Sequence, residues 1–296
     1  MPTITIGCDP EAFVREVATG KFVSAHDLLP GTKEKPFPVK GGAIQVDGVA
    51  AEFNIMPAVS SAHFEQYIGQ VMGALRDRLG PKYELVIEPF ARFDKDYFDK
   101  LPPIATELGC NPDFNAWTNS VNDRPEATGD MYGVRTASGH IHIGWTEGMD
   151  PNDPSHVADC NLVAQNLDYF LGCTSIMWDR DNTRRALYGK AGAVRYKPYG
   201  VEYRVLSNKW LSDPRLIHYV WNSAYTAVNS LFRNEKPIET ILGNQAVDII
   251  NNSTQWWVNK NTKVFKTLSG RIMFPQEKYW ENDKAPISEK KASHSY

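Results

Sequence analysis

Cysteine is scarce in this chain. Four cysteines occur among 296 residues, at Cys8, Cys110, Cys160 and Cys173, and no two of them have CxxC spacing. Because a chain of this length can bury a core without covalent cross-links, nothing here calls for a disulfide-rich scaffold. We expect reduced thiols that mostly serve as small buried residues.

An excess of charge of one sign is also lacking. The formal net charge is -3 and the pI is about 6.2. The chain therefore has no overall attraction to nucleic acid or to an anionic membrane, and we expect neither as a partner. An anionic ligand would have to be held by local positive charge.

Long apolar runs, repeats and low-complexity tracts are absent too. No run approaches the length of a membrane span, and residues 1–6 lack the basic and apolar regions of a signal peptide, which favours a cytoplasmic protein. The 42% hydrophobic content suffices for one large core. We expect a single domain over 1–275 and a loosely held polar tail over 276–296.

Strand patterns dominate the first half of the chain and helical patterns the second. Asp47-Gly48 predicts a hairpin turn between strands at 43–46 and 49–56. Further predicted strands lie at 3–7, 12–17, 21–25, 83–93, 134–145, 193–196 and 201–206, with helices at 60–79, 154–171, 214–232 and 237–251. Strands and helices do not alternate regularly, so we predict an α+β fold. Its antiparallel sheet would carry helices on one face and leave the other free for chemistry.

One stretch, 101–130, is rich in Pro, Asn, Asp and Gly but also carries aromatic residues. This composition predicts a long ordered loop that is a candidate lid over an active site. Phe114, Trp117, Trp145 and Trp178 are candidates for a substrate pocket, although aromatic residues are more often part of a core.

Four strand-like runs each place two polar side chains two residues apart. The pairs are Asp9 with Glu11, Glu52 with Asn54, His140 with His142, and Glu202 with Arg204. Side chains at i and i+2 of a strand point to the same face, so each pair would line one surface. Such an ionic sheet face needs a cation or a polyphosphate between its groups. The spacing therefore indicates a catalytic sheet.

Each acidic pair alone also has a simpler interpretation. Asp9 and Glu11 surround an Asp-Pro step that is common in solvated turns, yet two acids on one face also suit magnesium with water and phosphate oxygens as its other ligands. Glu52 either points to solvent with Asn54 or joins the first two acids.

The histidine pair is more specific. His140 and His142 lie on one predicted strand within Ser-Gly-His-Ile-His-Ile-Gly, where they can bind a metal or donate to phosphate. No third ligand with zinc-like spacing is nearby. The other histidines are isolated and are interpreted as structural.

The densest polar stretch runs from 181 to 208. Its charged residues include Arg184, Arg185, Lys190, Arg195, Lys197, Glu202 and Arg204. Arginine binds phosphate oxygens bidentately, and Gly189 and Gly192 would leave backbone donors accessible. A solvated hairpin surface is the alternative. Glu202 beside Arg204 argues against it, since this pair can hold a metal and a transferring phosphoryl group together.

Together these motifs resemble a known family. The motifs are Gly-x-Asp-Pro-Glu at 7–11, Val-Asp-Gly-x-x-x-Glu-x-Asn at 46–54, the histidine motif at 138–144, Arg-Arg at 184–185 with Tyr-Gly-Lys-Ala-Gly at 188–192, and Glu-Tyr-Arg-Val-Leu-Ser-Asn-Lys-Trp at 202–210. Their order and spacing are similar to those of phage-encoded carboxylate-amine ligases of type 2. These are amidoligases related to glutamine synthetase and glutamate-cysteine ligase. The resemblance covers about 6–210.

This resemblance implies a glutamine synthetase-like antiparallel sheet that binds ATP with two or more Mg²⁺ ions, or Mn²⁺. It implies an acyl phosphate that an amine attacks, and host cytoplasm as the location if the protein is phage-encoded. By motif, the implied metal ligands are Asp9, Glu11, Glu52, His140 and Glu202. Asp9 stands where glutamine synthetase commonly has Glu, which allows a ligand role through water.

The remaining roles also follow from the resemblance. His140 matches the histidine that touches metal or ATP phosphates, and His142 would lie nearer the nucleotide. Arg204 matches the arginine that steadies the phosphate. Arg184, Arg185, Lys190 and Arg195 fall where phosphate-binding basic residues are expected, and the implied catalytic residues are Glu11, Glu52, Glu202 and Arg204.

We therefore predict an ATP-dependent carbon-nitrogen ligase acting on an amine and a small-molecule or peptide carboxylate. Two alternatives stay open, a phosphotransferase like the guanidino kinases and a nucleotide-binding protein without catalysis. The sequence identifies neither the two substrates nor the oligomeric state.

Overall fold

The computed structural model describes residues 2–106, 113–123, 129–180, 182–235 and 239–252. The strands in these ranges are β1 (Thr5–Cys8), β2 (Glu11–Glu16), β3 (Phe22–Val23), β4 (Phe37–Val39), β5 (Gly42–Asp47), β6 (Ala50–Ile55), β7 (Tyr83–Val86), β8 (Phe90–Arg92), β9 (Phe114–Asn115), β10 (Ser120–Val121), β11 (Val134–Thr136), β12 (Ile141–Gly144), β13 (Ala193–Lys197) and β14 (Gly200–Tyr203).

The helices are α1 (Ser61–Leu79), α2 (Lys95–Phe98), α3 (Pro103–Thr106), α4 (Pro154–Leu167), α5 (Cys173–Ser175), α6 (Thr183–Leu187), α7 (Pro214–Phe232), α8 (Glu239–Leu242) and α9 (Gln245–Asn252). Short 3-10 turns lie at Gly129–Met131 and Asn208–Ser212, and a π-helical turn at Asp168–Gly172 continues α4.

The strands form two large antiparallel sheets and one small one. The first sheet has the order β1-β12-β14-β13-β9-β10, and the second has the order β3-β2-β6-β5-β4 with β7 also paired to β2. Strands β8 and β11 pair separately. Since every described pairing is antiparallel and helices accompany the sheets, the predicted α+β class is confirmed.

Helix α1 has the boundaries that its sequence predicts. The Ser60 hydroxyl accepts a hydrogen bond from the backbone N–H of His63 at 3.2 Å, and Gly80 ends the helix at a φ of 63°. The apolar side chains at helical spacing are buried, with Phe64 and Val71 fully enclosed. Helix α7 likewise starts at the predicted Pro214, where Asp213 caps the first turn.

The longer helices pack against the sheets and against one another. Helix α1 packs on β5, β6 and β7 of the second sheet, and α4 packs on β13 and β14 of the first. Helix α7 contacts both α1 and α4. A buried apolar core therefore separates the helices from the sheet surface that carries the polar residues.

Two predicted long strands are each divided between sheets. The predicted strand at 83–93 becomes β7, which pairs with β2, and β8, which pairs with β11. The predicted strand at 134–145 is divided into β11 and β12, and between them the backbone of 138–140 makes hydrogen bonds with Asp9, Glu11 and Leu206. Gly139 also lies so close to Trp210 that a Cβ there would be 2.3 Å from the indole nitrogen. His140 therefore precedes β12 instead of lying within it.

Other predictions have mixed outcomes. The candidate lid at 101–130 contains α3, β9 and β10 in its described parts. Cys8, Cys160 and Cys173 are free and buried, as expected, whereas Cys110 and the predicted tail at 276–296 lie outside the described residues. Within the described ranges, no helix combines the length and the apolarity needed to cross a bilayer.

Candidate active site

The polar pairs converge where the two large sheets meet. The chain passes from β1 to β2 through Asp9 and Glu11, whose backbone N–H groups donate to the carbonyls of His140 at 3.3 Å and Ser138 at 2.8 Å. A single stretch of chain thus borders both sheets. The four pairs therefore lie on two adjoining sheets. The prediction of a single ionic sheet was wrong, because it assumed that all four runs were complete strands of one sheet.

Cross-strand register aligns the polar residues on each sheet. In the second sheet Glu11 lies opposite Glu52, and Glu52 lies opposite Gln45. In the first sheet His142 lies opposite Glu202, and Glu202 lies opposite Arg195. Directly opposed side chains are neighbours on one face, so each sheet contributes a polar row to the junction.

These rows border a polar cavity of about 190 Å³. It is lined by Asp9, Glu11, Lys33, Gln45, Asp47, Glu52, His140, Arg195, Lys197, Glu202 and Arg204. Glu11 is 8% exposed, Glu52 6% and Glu202 1%, so these carboxyl groups are not the solvated strand surface that was the simpler interpretation.

Basic side chains surround Glu202 at one end of this cavity. Lys197 Nζ lies 2.8 Å from Glu202 Oε2, Arg195 Nη1 lies 3.5 Å from Oε1, and Arg204 also donates to Oε1. Burial and the Asp9 charge act to raise the pKa of Glu202, but Arg204 and the two histidines outweigh them and lower it to about 2. Glu202 is therefore ionised, and its surroundings carry excess positive charge.

Arg204 is also held from its other side. Its Nε lies 3.4 Å from Asp113 Oδ2, and Asp113 comes from the described part of the candidate lid. The Asp113 side chain is buried. One residue of that stretch thus holds a side chain of the site in place, although it lines neither cavity itself.

Carboxyl groups crowd the opposite end of the cavity. Oxygens of Glu11, Asp47 and Glu52 lie within 4.8 Å of one another. Ser138 N donates to Glu11 at 2.8 Å, and Gln45 Nε2 donates to Glu52 at 2.7 Å. Below we call these three carboxyl groups the acidic end and the surroundings of Glu202 the basic end.

The acidic end is short of positive charge. Burial, followed by the charge of Asp47, raises the pKa of Glu11 to about 8. Burial, followed by the charges of Asp9, Asp47 and Glu11, raises the pKa of Glu52 well above its usual value. These shifts mean that the three carboxylates repel one another unless a cation lies among them.

Asp9 and the two histidines lie between the ends. His142 Nε2 is 2.9 Å from Asp9 Oδ1, and its Nδ1 is 2.6 Å from the hydroxyl of Tyr199. Burial opposes charge on His142, but the Asp9 carboxylate outweighs it and raises the pKa of His142. His140 is 3% exposed, and burial together with the Arg204 charge lowers its pKa to about 4. His140 is therefore neutral at pH 7 and can offer a ring nitrogen as a ligand.

The donor atoms fit divalent cations. Besides the acidic end, a second group of closely spaced ligand atoms comes from Asp9, His142 and Glu202. Asp9 Oδ1, His142 Nε2 and His140 Nε2 are buried. Asp9 and His142 form an ion pair, but among the described residues none of the three atoms has a partner with hydrogen-bond geometry. Carboxylate oxygens with an occasional imidazole suit Mg²⁺ or Mn²⁺.

A larger cavity of about 870 Å³ adjoins the polar one. Asp9, Lys33 and Gln45 line both cavities, so they lie where the two cavities adjoin. The wall of the larger cavity also includes Asn54, Ile55, Pro57, His142, Trp145, Thr146, Glu147 and Tyr199. Its volume and its mixture of apolar, aromatic and polar groups are typical of small-molecule sites.

Three predicted phosphate-binding residues do not line either cavity. Arg184 is buried behind the site and donates to the carbonyls of Val205 at 2.8 Å and Leu206 at 2.9 Å. Arg185 lies 3.3 Å from Asp179, and Lys190 is on the surface. Sequence alone does not distinguish an arginine that reaches a ligand from one that ties the backbone together.

The glycines near these arginines also have structural roles. A Cβ on Gly189 would lie 2.1 Å from Arg184 Nη1, so this glycine makes room for the buried guanidinium. The backbone N–H of Gly192 donates to Asp168 at 2.7 Å. Neither glycine lines the two cavities, although the sequence suggested accessible donors at both.

The aromatic residues divide between core and cavity. Trp145 lines the larger cavity. Trp178 packs edge-on against Tyr219, Phe114 stacks on Tyr196, and Trp117 donates its indole N–H to Asp168.

Several lining residues were not singled out from the sequence. Asp47 was named in a hairpin turn and in the motif at 46–54 but was given no role in the site, and Lys33, Gln45 and Tyr199 belong to no motif. Lys197 was named in the dense polar stretch but was given no role in the site, although it stands two residues after Arg195 on a strand and shares its face.

Comparisons with known proteins give distant structural likeness only. No family model and no curated protein matches the chain. One similar solved structure is a novel glutamine synthase homolog, at 10% identity and a TM-score of 0.37, with 92% of this chain and 66% of that chain covered. Another is a bifunctional glutathione synthetase from Pasteurella multocida, at 10% identity and a TM-score of 0.34, with 92% and 46% covered.

This chain therefore spans less than two thirds of the length of either structure. At these TM-scores a shared activity does not follow. The function has to be inferred from the side chains of the site.

Proposed function

We propose that the protein is an ATP- and magnesium-dependent ligase that joins a carboxylate to an amine through an acyl phosphate. The observation that carries this proposal is the opposition of charge within one buried cavity. Three carboxyl groups form one end, and Arg195, Lys197 and Arg204 gather at the other. A polyphosphate with bound cations has the complementary arrangement, because its oxygens need positive charge and its cations need oxygen ligands.

Two sets of side chains would hold the cations. Asp9, His142 and Glu202 form one set, and the acidic end forms the other. Cations bound there would offset the charge of the phosphate oxygens and make the phosphorus more susceptible to attack. His140 lies 3.5 Å from Asp9 and 3.6 Å from Glu202, so it can support the first set.

The basic side chains would stabilise the phosphoryl group during transfer. Arg204 and Arg195 can donate to its oxygens through planar guanidinium groups, and Lys197 adds a compact positive charge. All three are already oriented by Glu202, so little rearrangement is needed when negative charge develops.

In the proposed reaction a carboxylate oxygen of the first substrate attacks the γ-phosphorus of ATP, and ADP leaves. The nitrogen of the amine then attacks the acyl carbon, inorganic phosphate leaves, and the nitrogen loses a proton. Burial of the carboxyl groups at both ends limits the access of water, which would otherwise hydrolyse the acyl phosphate. The adjoining larger cavity offers room for the nucleoside or for a substrate.

The decisive experiment incubates the purified protein with Mg-ATP and pools of carboxylates and amines. We expect release of ADP and phosphate that depends on both substrates, together with a product whose mass is the sum of the two minus water. Folded, magnesium-loaded protein that does not bind a non-hydrolysable ATP analogue would overturn the proposal. A stable phosphorylated product formed without an amine would instead identify a phosphotransferase.

A pair of matched variants links the activity to the site. Glu52→Gln removes one carboxylate of the acidic end, and we expect kcat to fall about 100-fold or more because charge stabilisation is lost. Glu84→Gln alters an exposed strand residue that pairs with Arg15, and it should retain wild-type activity. Equal activity of the two variants would mean that the reaction does not depend on this cavity.

A further inference from the structure

Lys33 has a position that the proposed chemistry does not yet use. It lies in a tight turn in which Thr32 and Lys35 exchange backbone hydrogen bonds of 3.1 and 3.2 Å. Gly31 presses this turn against β5, since a Cβ at Gly31 would lie 2.3 Å from the carbonyl oxygen of Ile44, and its φ is 93°. The base of the Lys33 side chain is thereby fixed beside the strand that ends at Asp47.

The ammonium of Lys33 contacts the acidic end. Lys33 Nζ lies 2.7 Å from Asp47 Oδ2, where the Asp47 side chain is 17% exposed. A single ammonium cannot neutralise the three clustered carboxyl groups. It does, however, lie against a carboxylate that a divalent cation at the acidic end would also bind, and two cations at one carboxylate repel each other.

Lys33 is also the basic residue among those that line both cavities. Of the three residues that line both cavities, Asp9 and Gln45 carry no positive charge. The other lysine and arginine side chains lining the polar cavity, Arg195, Lys197 and Arg204, all contact Glu202. A flexible four-carbon stem lets the Lys33 ammonium move by several ångströms while its backbone stays in place.

We propose that Lys33 is an exchangeable counter-cation, whose ammonium pairs with Asp47 until a divalent cation replaces it and then contacts an anionic ligand where the two cavities adjoin. This inference rests on the proposed function, because it takes the anionic ligand to be a nucleotide polyphosphate. It assigns Lys33 two opposite effects. The residue competes with the metal and supports the anion.

The test measures the two effects separately in the Lys33→Gln variant. Calorimetric titration with Mn²⁺ alone should show binding about 5-fold tighter than in the wild type, because a competing positive charge is gone. Titration with a non-hydrolysable ATP analogue at saturating Mg²⁺ should show binding about 10-fold weaker. A role limited to stabilising the fold would not move the two affinities in opposite directions.

Lys35→Gln is the matched control. Lys35 belongs to the same turn but lines neither cavity, so both affinities should equal those of the wild type. Lys33→Arg keeps the charge and should restore most of the affinity for the ATP analogue.

The outcomes separate this inference from the proposed function. Unchanged or weaker Mn²⁺ binding by Lys33→Gln, or an absence of Mn²⁺ binding by the wild type, overturns the counter-cation role. Unchanged binding of the ATP analogue overturns the contact with the anion. A wild-type protein that binds Mn²⁺ but no nucleotide contradicts the proposed function, and the Mn²⁺ titration still decides whether Lys33 competes for the acidic end.

Discussion

Glu11 and Glu202 are both buried glutamates that line the same cavity, yet the protein shifts their pKa values in opposite directions. The pKa of Glu11 rises to about 8, and that of Glu202 falls to about 2. Burial acts to raise both. The difference lies in the neighbours, because Glu11 has Asp47 and Glu52 nearby while Glu202 has Arg195, Lys197 and Arg204.

The comparison shows that the cavity separates two electrostatic tasks. The basic end is already compensated within the protein, so a further cation there must displace or share existing partners. The acidic end is compensated only in part, so it gains most from an added cation. A ligand with positive charge at one end and negative charge at the other should therefore bind with its positive charge at the acidic end and its negative charge at the basic end.

The largest expected effect comes from breaking the basic end with Glu202→Gln. Neutralising Glu202 leaves buried positive charge without its partner, and we expect the free energy of unfolding to fall by about 4 kcal/mol. Urea denaturation in the presence of a chelator measures this loss. The free energy of unfolding of the exposed variant Glu84→Gln should remain within about 0.5 kcal/mol of the wild type. An equally small change in Glu202→Gln would mean that this carboxylate does not hold the basic end together.

The second effect is a pH dependence set by Glu11. Its folded-state pKa of about 8 lies above the value of the unfolded chain, so its contribution to stability is complete below about pH 4 and is lost as the pH rises towards 8. In metal-free protein we expect the part of this loss between pH 5 and pH 8 to be on the order of 3 kcal/mol.

Denaturation curves between pH 5 and pH 8 measure the Glu11 effect. The variant Glu11→Gln should flatten the dependence, since its amide oxygen can still accept from Ser138 N and does not ionise. Mg²⁺ should protect the wild type more strongly at pH 8 than at pH 5, because the ionised carboxylates bind it. The same slope in wild type and variant would assign the pH dependence to other groups.

The smallest effect on stability should come from Glu52→Gln. Because its surroundings favour the uncharged carboxyl, a neutral amide should change the free energy of unfolding by no more than about 1 kcal/mol in metal-free protein. Mn²⁺ affinity should nevertheless fall at least 10-fold, which calorimetry can measure. A large loss of stability with intact Mn²⁺ binding would remove the distinction between the two ends.

Local patterns predicted much of the fold. Helix α7 has the predicted boundaries because its apolar period, Pro214 and the Asp213 cap all lie within the helix or next to it. The turn at Asp47-Gly48 joins β5 and β6 as predicted, since this dipeptide favours a tight hairpin. The break before β12 could not be predicted in the same way, because the backbone there pairs with Asp9, Glu11 and Leu206, which are distant in sequence.

The residues of the candidate site were likewise predicted only in part. Spacing and motif order pointed to Glu11, Glu52, His140, Glu202 and Arg204, all of which line the polar cavity. Arg184 carries the same charge as Arg204, but its guanidinium is taken up by carbonyls brought near by the tertiary fold. Asp47 and Lys33 reach the cavity through a turn and a loop whose positions no local period specifies.

The segment from Asp9 to Glu11 borders both large sheets, and this position has a consequence for folding kinetics. The cavity needs side chains from the start of the chain, from the β5–β6 hairpin, from His140 just before β12 and from the β13–β14 hairpin, so it cannot exist in an intermediate with only one sheet formed. Its contacts are far apart in sequence and are costly to close. Ligand binding should consequently slow hydrogen exchange in both sheets together, because the ligand stabilises the fully assembled state and no part of it alone.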